Sequence, residues 1–180
     1  MSTSDVEHVP VNTHFETRKE LADARVHPPL EHGIYRGPGG EDEPAKSIVM
    51  ANRPEYPNED HGDRLTYIGM GGRGDDDESD VVDGETAKKR KRARRNTHGG
   101  PQTSNQSFDH PMNKALKVAA ELGTLVRVTR GAGVSAFAPS LVEGGYRYDG
   151  LYHVENPRLE MGPTGKFLRA TGQAPLPRPE

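Results

Sequence analysis

The chain has 180 residues, with Gly 21 and Pro 15 making up a fifth of it and a hydrophobic fraction of 31%, which fits one domain with a modest core and long loops. The absence of cysteine excludes a disulfide framework, a zinc-finger cysteine set and a thiol nucleophile. No apolar run approaches the roughly 18 residues of a membrane span and the start lacks a signal-peptide pattern, so a soluble intracellular chain with no membrane partner is expected.

The net charge of −3 argues against a polyanion partner only until it is mapped: residues 1–85 carry −12, residues 86–130 carry +9, and residues 131–180 balance at zero. Polyanion binding depends on local positive surface, so the middle third is the candidate footprint.

Residues 1–10 are polar and expected to be a flexible N-terminus. Thr13-His-Phe-Glu16 fits a capping box, predicting a short helix to about Ala24 that ends before His27-Pro28-Pro29. A Gly/Pro/acid loop follows at 35–45. Lys46-Ser-Ile-Val-Met50 reads as a buried strand, residues 52–63 as polar and turn-rich, and Arg64-Leu-Thr-Tyr-Ile68 as another strand.

Gly69-Met-Gly71-Gly72-Arg73-Gly74 then spells a Gly-x-Gly-x-x-Gly after a strand. A dinucleotide loop needs a helix amino end to hold the pyrophosphate. Here Asp75-Asp-Asp-Glu78 follows, and four carboxylates repel phosphate, so a tight glycine turn is the better reading.

Between about residues 75 and 107 there is no periodicity, and a charged mobile insertion is expected. An acidic block, Asp75 to Glu85 with seven acids, runs into Lys88, Lys89, Arg90, Lys91, Arg92, Ala93, Arg94 and Arg95. The basic block reads as a nuclear-localisation signal, a DNA-contacting arm, or a solvated loop, and the first two are compatible.

Asp109-His-Pro111 can start a helix, with Asp109 as cap, from about Met112 to Leu122; Ala115, Leu116, Ala119 and Leu122 form its apolar face and Gly123 stops it. Thr124-Leu-Val-Arg-Val-Thr-Arg130 is a strand of β-branched residues, and Lys166-Phe-Leu-Arg169 is a final short one.

The most informative stretch is Tyr146-Arg-Tyr-Asp-Gly-Leu-Tyr-His-Val154, which holds three of the chain's six tyrosines. Alternation puts Tyr146, Tyr148, Gly150, Tyr152 and Val154 nominally on one face, and the inserted glycine predicts a bulge or close backbone approach.

This stretch resembles the signature of the SRA domain (SET- and RING-associated, also called the YDG domain), whose members bind DNA carrying methylated cytosine. Other segments resemble the family in its order: Phe15 with Arg18-Lys-Glu-Leu21, Val26-His27-Pro28-Pro29-Leu30 with Gly33-Ile34, and Ser47-Ile-Val49. The series continues with Tyr67-Ile-Gly-Met-Gly-Gly72, Val126-Arg-Val-Thr-Arg-Gly131 and Thr171-Gly-Gln-Ala-Pro175. The resemblance spans about Val11 to Pro177, leaving 178–180 as a tail. It implies an α+β, mainly β fold, a twisted barrel-like SRA/PUA-like β sheet with short flanking helices.

The resemblance also implies a function: a module that flips a modified cytosine out of duplex DNA into a pocket, where stacking and hydrogen bonds offset a few kcal/mol of lost pairing. Tyr67 matches one of the family's two sandwiching tyrosines and Tyr56 the other across a one-residue gap. The acid accepting from the exocyclic amine falls on Glu59, or Asn58 supplies an amide oxygen instead. Ile68 and Gly69 complete the pocket, and Asp60 matches a structural Asp before the turn.

Three departures leave the preferred modification open. Asn52-Arg53-Pro54-Glu55 stands where the family has two glycines beside the methyl group. Ile68 replaces a threonine hydroxyl, and Glu31 stands where a residue enters the vacated helix space. Both 5-methylcytosine and 5-hydroxymethylcytosine therefore fit the reading. Arg73 and the basic block, Lys88 to Arg95, would contact DNA from the groove-reading loop.

No cofactor, metal or catalytic constellation is expected: the eight histidines show no His-Glu-x-x-His spacing and no Ser/His/Asp set assembles by motif. The expected partner is double-stranded DNA with modified cytosine, the expected location the nucleus, and the expected state a monomer. Two alternatives are a chromatin interaction module that kept the fold but lost base recognition, binding histones or chromatin proteins, and the specificity domain of a modification-dependent nuclease.

Overall fold

The computed structural model describes residues 9–40, 42–52, 58–72 and 102–162, and the backbone course of 168–175. Among these residues it contains nine strands and two helices. The order is β1 (His14–Phe15), α1 (Arg18–Asp23), β2 (Ile34–Tyr35), β3 (Ser47–Met50), β4 (Glu59–Asp60), β5 (Arg64–Ile68), α2 (Pro111–Leu122), β6 (Leu125–Gly131), β7 (Tyr146–His153), β8 (Glu155–Met161) and β9 (Leu168–Pro175). The expected α+β, mainly β class holds. The sheet is built in two parts: five strands in the order β1-β7-β6-β3-β2, and four in the order β4-β5-β9-β8. Neither helix is long and apolar enough to cross a membrane.

One core joins the two sheets and α2. Ile48 and Met50 of β3, Val126 and Val128 of β6 and Tyr152 of β7 meet Leu65 and Tyr67 of β5 under Ala115, Leu116 and Ala119 of α2. The other face of the five-stranded sheet packs Val49 and Tyr148 against Phe15, Leu21 and Val26, under α1.

The first capping box falls four residues later than the sequence predicts. Thr13-His-Phe is not a helix start, because His14 and Phe15 pair with Arg147 and Tyr146 and Phe15 is buried. The box is Thr17-x-x-Glu20: the Thr17 hydroxyl accepts from the Glu20 amide at 3.2 Å, and Glu20 accepts from the Glu16 amide at 2.8 Å. At α2 the cap is His110 rather than Asp109; its Nδ1 accepts from the Met112 amide at 3.3 Å while Asp109 accepts from the Ser107 hydroxyl. Pro111 then takes the first helical position, where its missing N–H costs nothing. Gly123, at φ 63°, closes the helix as expected.

The tyrosine strand carries the expected bulge, and the bulge overturns the single-face reading. Val128 lies opposite Gly150 but Thr129 lies opposite Tyr148, which leaves Asp149 as the extra residue. An extra residue inverts the alternation, so Tyr148 joins the α1-side cluster while Tyr152 and Val154 join the inter-sheet core. The last strand is longer than the expected Lys166–Arg169, reaching Pro175, and it pairs with both β5 and the unanticipated β8.

Candidate nucleic-acid interface

The β4–β5 hairpin carries most of the candidate pocket. Glu59 lies opposite Thr66 and Asp60 opposite Leu65, so Asn58 enters beside the end of β5, where Tyr67, Ile68 and Gly69 follow. The Asn58 Oδ1 accepts from the Ile68 amide at 2.8 Å, tying the two ends of the hairpin together. This commits the amide oxygen that the sequence offered to a base amine, although a carbonyl oxygen carries a second lone pair. The Asn58 side-chain NH2 makes no hydrogen bond among the described residues. Glu59 is exposed.

Tyr67 is 7% exposed and part of the inter-sheet core. Its hydroxyl lies against Gly33, where a Cβ would come within 2.5 Å of it. Ile68, on the opposite face of β5, is 6% exposed. Consecutive strand residues point to opposite faces, so the two side chains do not line one surface together.

The segment from Leu30 to Gly33 stands beside the Tyr67 hydroxyl and presents Leu30 and Glu31 to solvent. It is tethered from beneath. Arg18 donates to the Leu30 carbonyl at 3.1 Å and also to the His32 carbonyl. His27, fully buried, donates from Nε2 to the same His32 carbonyl at 2.8 Å, so its Nδ1 accepts from the Ser47 hydroxyl at 2.9 Å. Burial first, then the charge of Arg18, pushes the His27 pKa down to about 3; the ring is neutral at physiological pH.

The glycine turn after β5 is braced from two sides. Gly71 and Gly72 have φ of 83° and 84°, the left-handed region that favours glycine. The buried Gln106 side chain donates to the Gly69 and Gly71 carbonyls at 2.8 and 3.2 Å. Asn113 of α2 accepts from the Met70 amide at 2.7 Å and donates back to its carbonyl at 2.9 Å. Neither bracing residue was expected from sequence; a polar Asn113 amid the apolar positions of α2 was the available signal.

The other end of the hairpin is fixed by a buried ionic network. Arg130 is 2% exposed. It donates to both Asp60 oxygens at 2.8 Å, to Asp149 at 2.9 Å, to the Tyr152 hydroxyl at 3.1 Å and to the Gly62 carbonyl at 2.6 Å. The Ser135 hydroxyl donates to Asp60, and Arg147 donates to the second Asp149 oxygen at 2.6 Å. Burial opposes ionisation of Asp60, but the bonds from Arg130, Ser135 and the Gly62 amide outweigh it and hold the carboxyl below its ordinary range. The bulged Asp149 is therefore a structural residue: it joins the tyrosine strand to the turn that starts β5.

Tyr56, Arg73, Lys88, Lys89, Arg90, Lys91, Arg92, Arg94 and Arg95 lie outside the described residues. Among the described residues no cluster of three or more His, Cys, Asp or Glu could hold a metal ion.

The chain matches the SAD/SRA domain family over residues 2–171. It is 38% identical over 183 residues to a UHRF1-like protein of Cryptococcus neoformans var. grubii, covering 95% of this chain and 48% of that one. The chain thus spans about half the length of that relative. Its fold is similar to a modification-dependent TagI restriction endonuclease, at TM-score 0.70 and 27% identity over 95% of this chain and 50% of the other. It is likewise similar to the SUVH5 SRA domain in complex with fully methylated CG DNA, at TM-score 0.63 and 28% identity over 94% and 89%. The match over nearly the whole chain makes this protein a member of the SAD/SRA domain family.

Proposed function

We propose that the chain is a non-catalytic DNA-binding module that recognises 5-methylcytosine, or another modified cytosine, in duplex DNA by flipping the base out. The observation that carries this reading is the similarity over 94% of the chain to an SRA domain solved with fully methylated CG DNA. The placement of Asn58, Glu59, Ile68 and Gly69 at one end of a hairpin locked at its other end supports it. A flipped base must be met by groups already fixed in place, since the few kcal/mol of unstacking leave little for reorganisation.

In this reading Asn58, fixed through its oxygen to Ile68, turns its NH2 toward the acceptor edge of the base, and Glu59 accepts from the exocyclic amine. Tyr67 forms the floor and Tyr56 the opposing ring. Glu31, on its tethered loop, occupies the space that the base leaves. Arg73 and the block from Lys88 to Arg95 contact phosphates within the charged insertion at about 75–107 of the domain. The block also supports a nuclear location.

The test is a duplex with 2-aminopurine beside the modified cytosine, whose fluorescence rises when stacking is lost. A saturable rise with the modified duplex and none with the unmodified one supports flipping. Binding without a fluorescence change refutes it. Deleting residues 86–96 should weaken binding and flatten its salt dependence, because each neutralised phosphate releases counterions. An unchanged affinity and slope would reduce that block to a localisation signal.

A second reading follows from the similarity to the TagI endonuclease: the module as the specificity domain of a modification-dependent nuclease. It predicts modification-dependent cleavage when a nuclease subunit is supplied, and binding alone when it is not.

A further inference from the structure

Arg127 is a buried cation with no acid partner among the described residues. It sits mid-strand in β6 at 9% exposure. Tyr35 is opposite Ser47, Ser47 opposite Arg127, and Arg127 opposite Leu151, a row across β2, β3, β6 and β7. The row faces α1, as the Ser47–His27 bond and the 3.0 Å bond from Arg127 Nε to the Val26 carbonyl show.

That is the only side-chain hydrogen bond Arg127 makes among the described residues, and no carboxylate pairs with it. Three residues along the same strand, on the other face, Arg130 has two carboxylates. A largely buried charge without a counter-ion is costly, and an anion bound at its terminal nitrogens would offset that cost. The neighbours add to the demand: the charges of Arg18, Arg127 and His32 all disfavour protonation of His27. Burial lowers the Arg127 pKa, and the phenols of Tyr148 and Tyr35 lie close enough to oppose that.

The guanidinium is also reachable. Neither of its terminal nitrogens is among the buried side-chain atoms that lack a partner, so with no bond of their own they touch solvent. Most of this sheet face is covered by the cluster under α1, but two apolar side chains beside Arg127 are partly exposed. Leu125, two residues before Arg127 and so on the same face, is 39% exposed, and Leu151, opposite Arg127, is 42% exposed.

We propose that Arg127 anchors a docking site for an acidic–apolar protein segment: a Glu or Asp carboxylate on its terminal nitrogens, and an apolar side chain on Leu125 and Leu151. A carboxylate fits better than a phosphate. One guanidinium offers one charge, Arg18 is turned onto the Leu30 and His32 carbonyls, and His27 is neutral. A nucleic-acid strand, charged at every nucleotide, has nothing to lay on two leucines. Residues two apart on a strand are separated by about 6.8 Å, so an extended ligand of pattern apolar-x-acid spans Leu125 to Arg127. The site lies on the α1 side of the sheet, away from β5, and stands whether or not the DNA reading does.

The test follows the Arg127 Nε–Hε resonance by nitrogen–proton NMR in the full chain, assigned with Arg127→Lys. Acetyl-Leu-Ser-Glu-amide, its Gln counterpart, inorganic phosphate and an unmodified DNA duplex are titrated at matched ionic strength. We expect a saturable shift with the Glu peptide and at least tenfold weaker binding of the Gln peptide. Leu151→Ser, an exposed position whose change leaves the cation in place, should weaken the Glu peptide about threefold. No saturation, equal binding of the Gln peptide, or stronger binding of phosphate or DNA than of the Glu peptide each overturns the proposal.

Discussion

Arg130 and Asp60 form a two-point ion pair, Nε to Oδ2 and Nη2 to Oδ1, each at 2.8 Å, with side chains 2% and 1% exposed. The pair joins the five-stranded sheet to the β4–β5 hairpin that carries the candidate pocket. Removing one partner leaves the other charged and buried, which typically costs about 3–5 kcal/mol. Asp60→Ala and Arg130→Met should each lower stability by that order in urea unfolding. The double variant should lose less than the sum, because Asp60 is then not left without its partner, while Asp149 keeps the bond from Arg147.

Gly33 and Tyr67 are predicted to be coupled through a single atom. A Cβ at position 33 would lie 2.5 Å from the Tyr67 hydroxyl oxygen. Gly33→Ala should cost about 1–3 kcal/mol, in the range of overpacked cores. Tyr67→Phe removes the obstructing oxygen, so the double variant should regain most of that loss in the same unfolding assay. No rescue would mean that the clash is taken up elsewhere.

The buried His27 makes stability depend on pH. Its ordinary value near 6.5 applies to the unfolded chain, and the folded value is about 3. Below pH 6.5 the unfolded state therefore binds a proton that the folded state does not, and stability falls as pH falls. The slope is about 1.4 kcal/mol per pH unit until the folded value is reached. His27→Gln should remove this slope between pH 6 and pH 4, measured by urea midpoints at constant ionic strength. Asp60, held below its ordinary 3.8, contributes stability that is present above that value and lost in more acid solution, outside this window.

Thr129 is fully buried and its hydroxyl has no hydrogen-bond partner among the described residues. An unsatisfied buried hydroxyl carries its desolvation cost with no return. Thr129→Val keeps the shape and should raise stability by about 1 kcal/mol, seen as a higher urea midpoint at an unchanged slope.

What the sequence revealed depended on how local each cause was. The strand Arg64–Ile68 was legible at its full extent because turn residues bound it on both sides, and α2 was legible from Ala115, Leu116, Ala119 and Gly123, although Leu122, expected on the same face, is 64% exposed. Gly150 announced a bulge, but not its consequence for the faces, since the register that strands Asp149 depends on pairing with β6. β8 was missed because Glu155–Met161 has no apolar alternation of its own and is held by β9. The Arg130 network was missed for a different reason: Asp60 and Asp149 lie 70 and 19 residues from Arg130 in sequence, and no local pattern marks a bond across that gap. The family resemblance offered Asn58, Tyr67 and Ile68 as candidates, but could not show that the Asn58 oxygen is bound to the Ile68 amide.

The most direct test of the central claim is fluorescence anisotropy on duplexes that differ at one CpG: unmodified, methylated on one strand, methylated on both, and hydroxymethylated. Each would be measured at about 50 mM and about 200 mM salt, a range over which phosphate contacts alone weaken by orders of magnitude. The account predicts at least tenfold tighter binding to one modified duplex, with that ratio preserved as overall affinity falls with salt. Equal affinity for all four duplexes, falling together as salt rises, would contradict a working base pocket and leave only electrostatic binding.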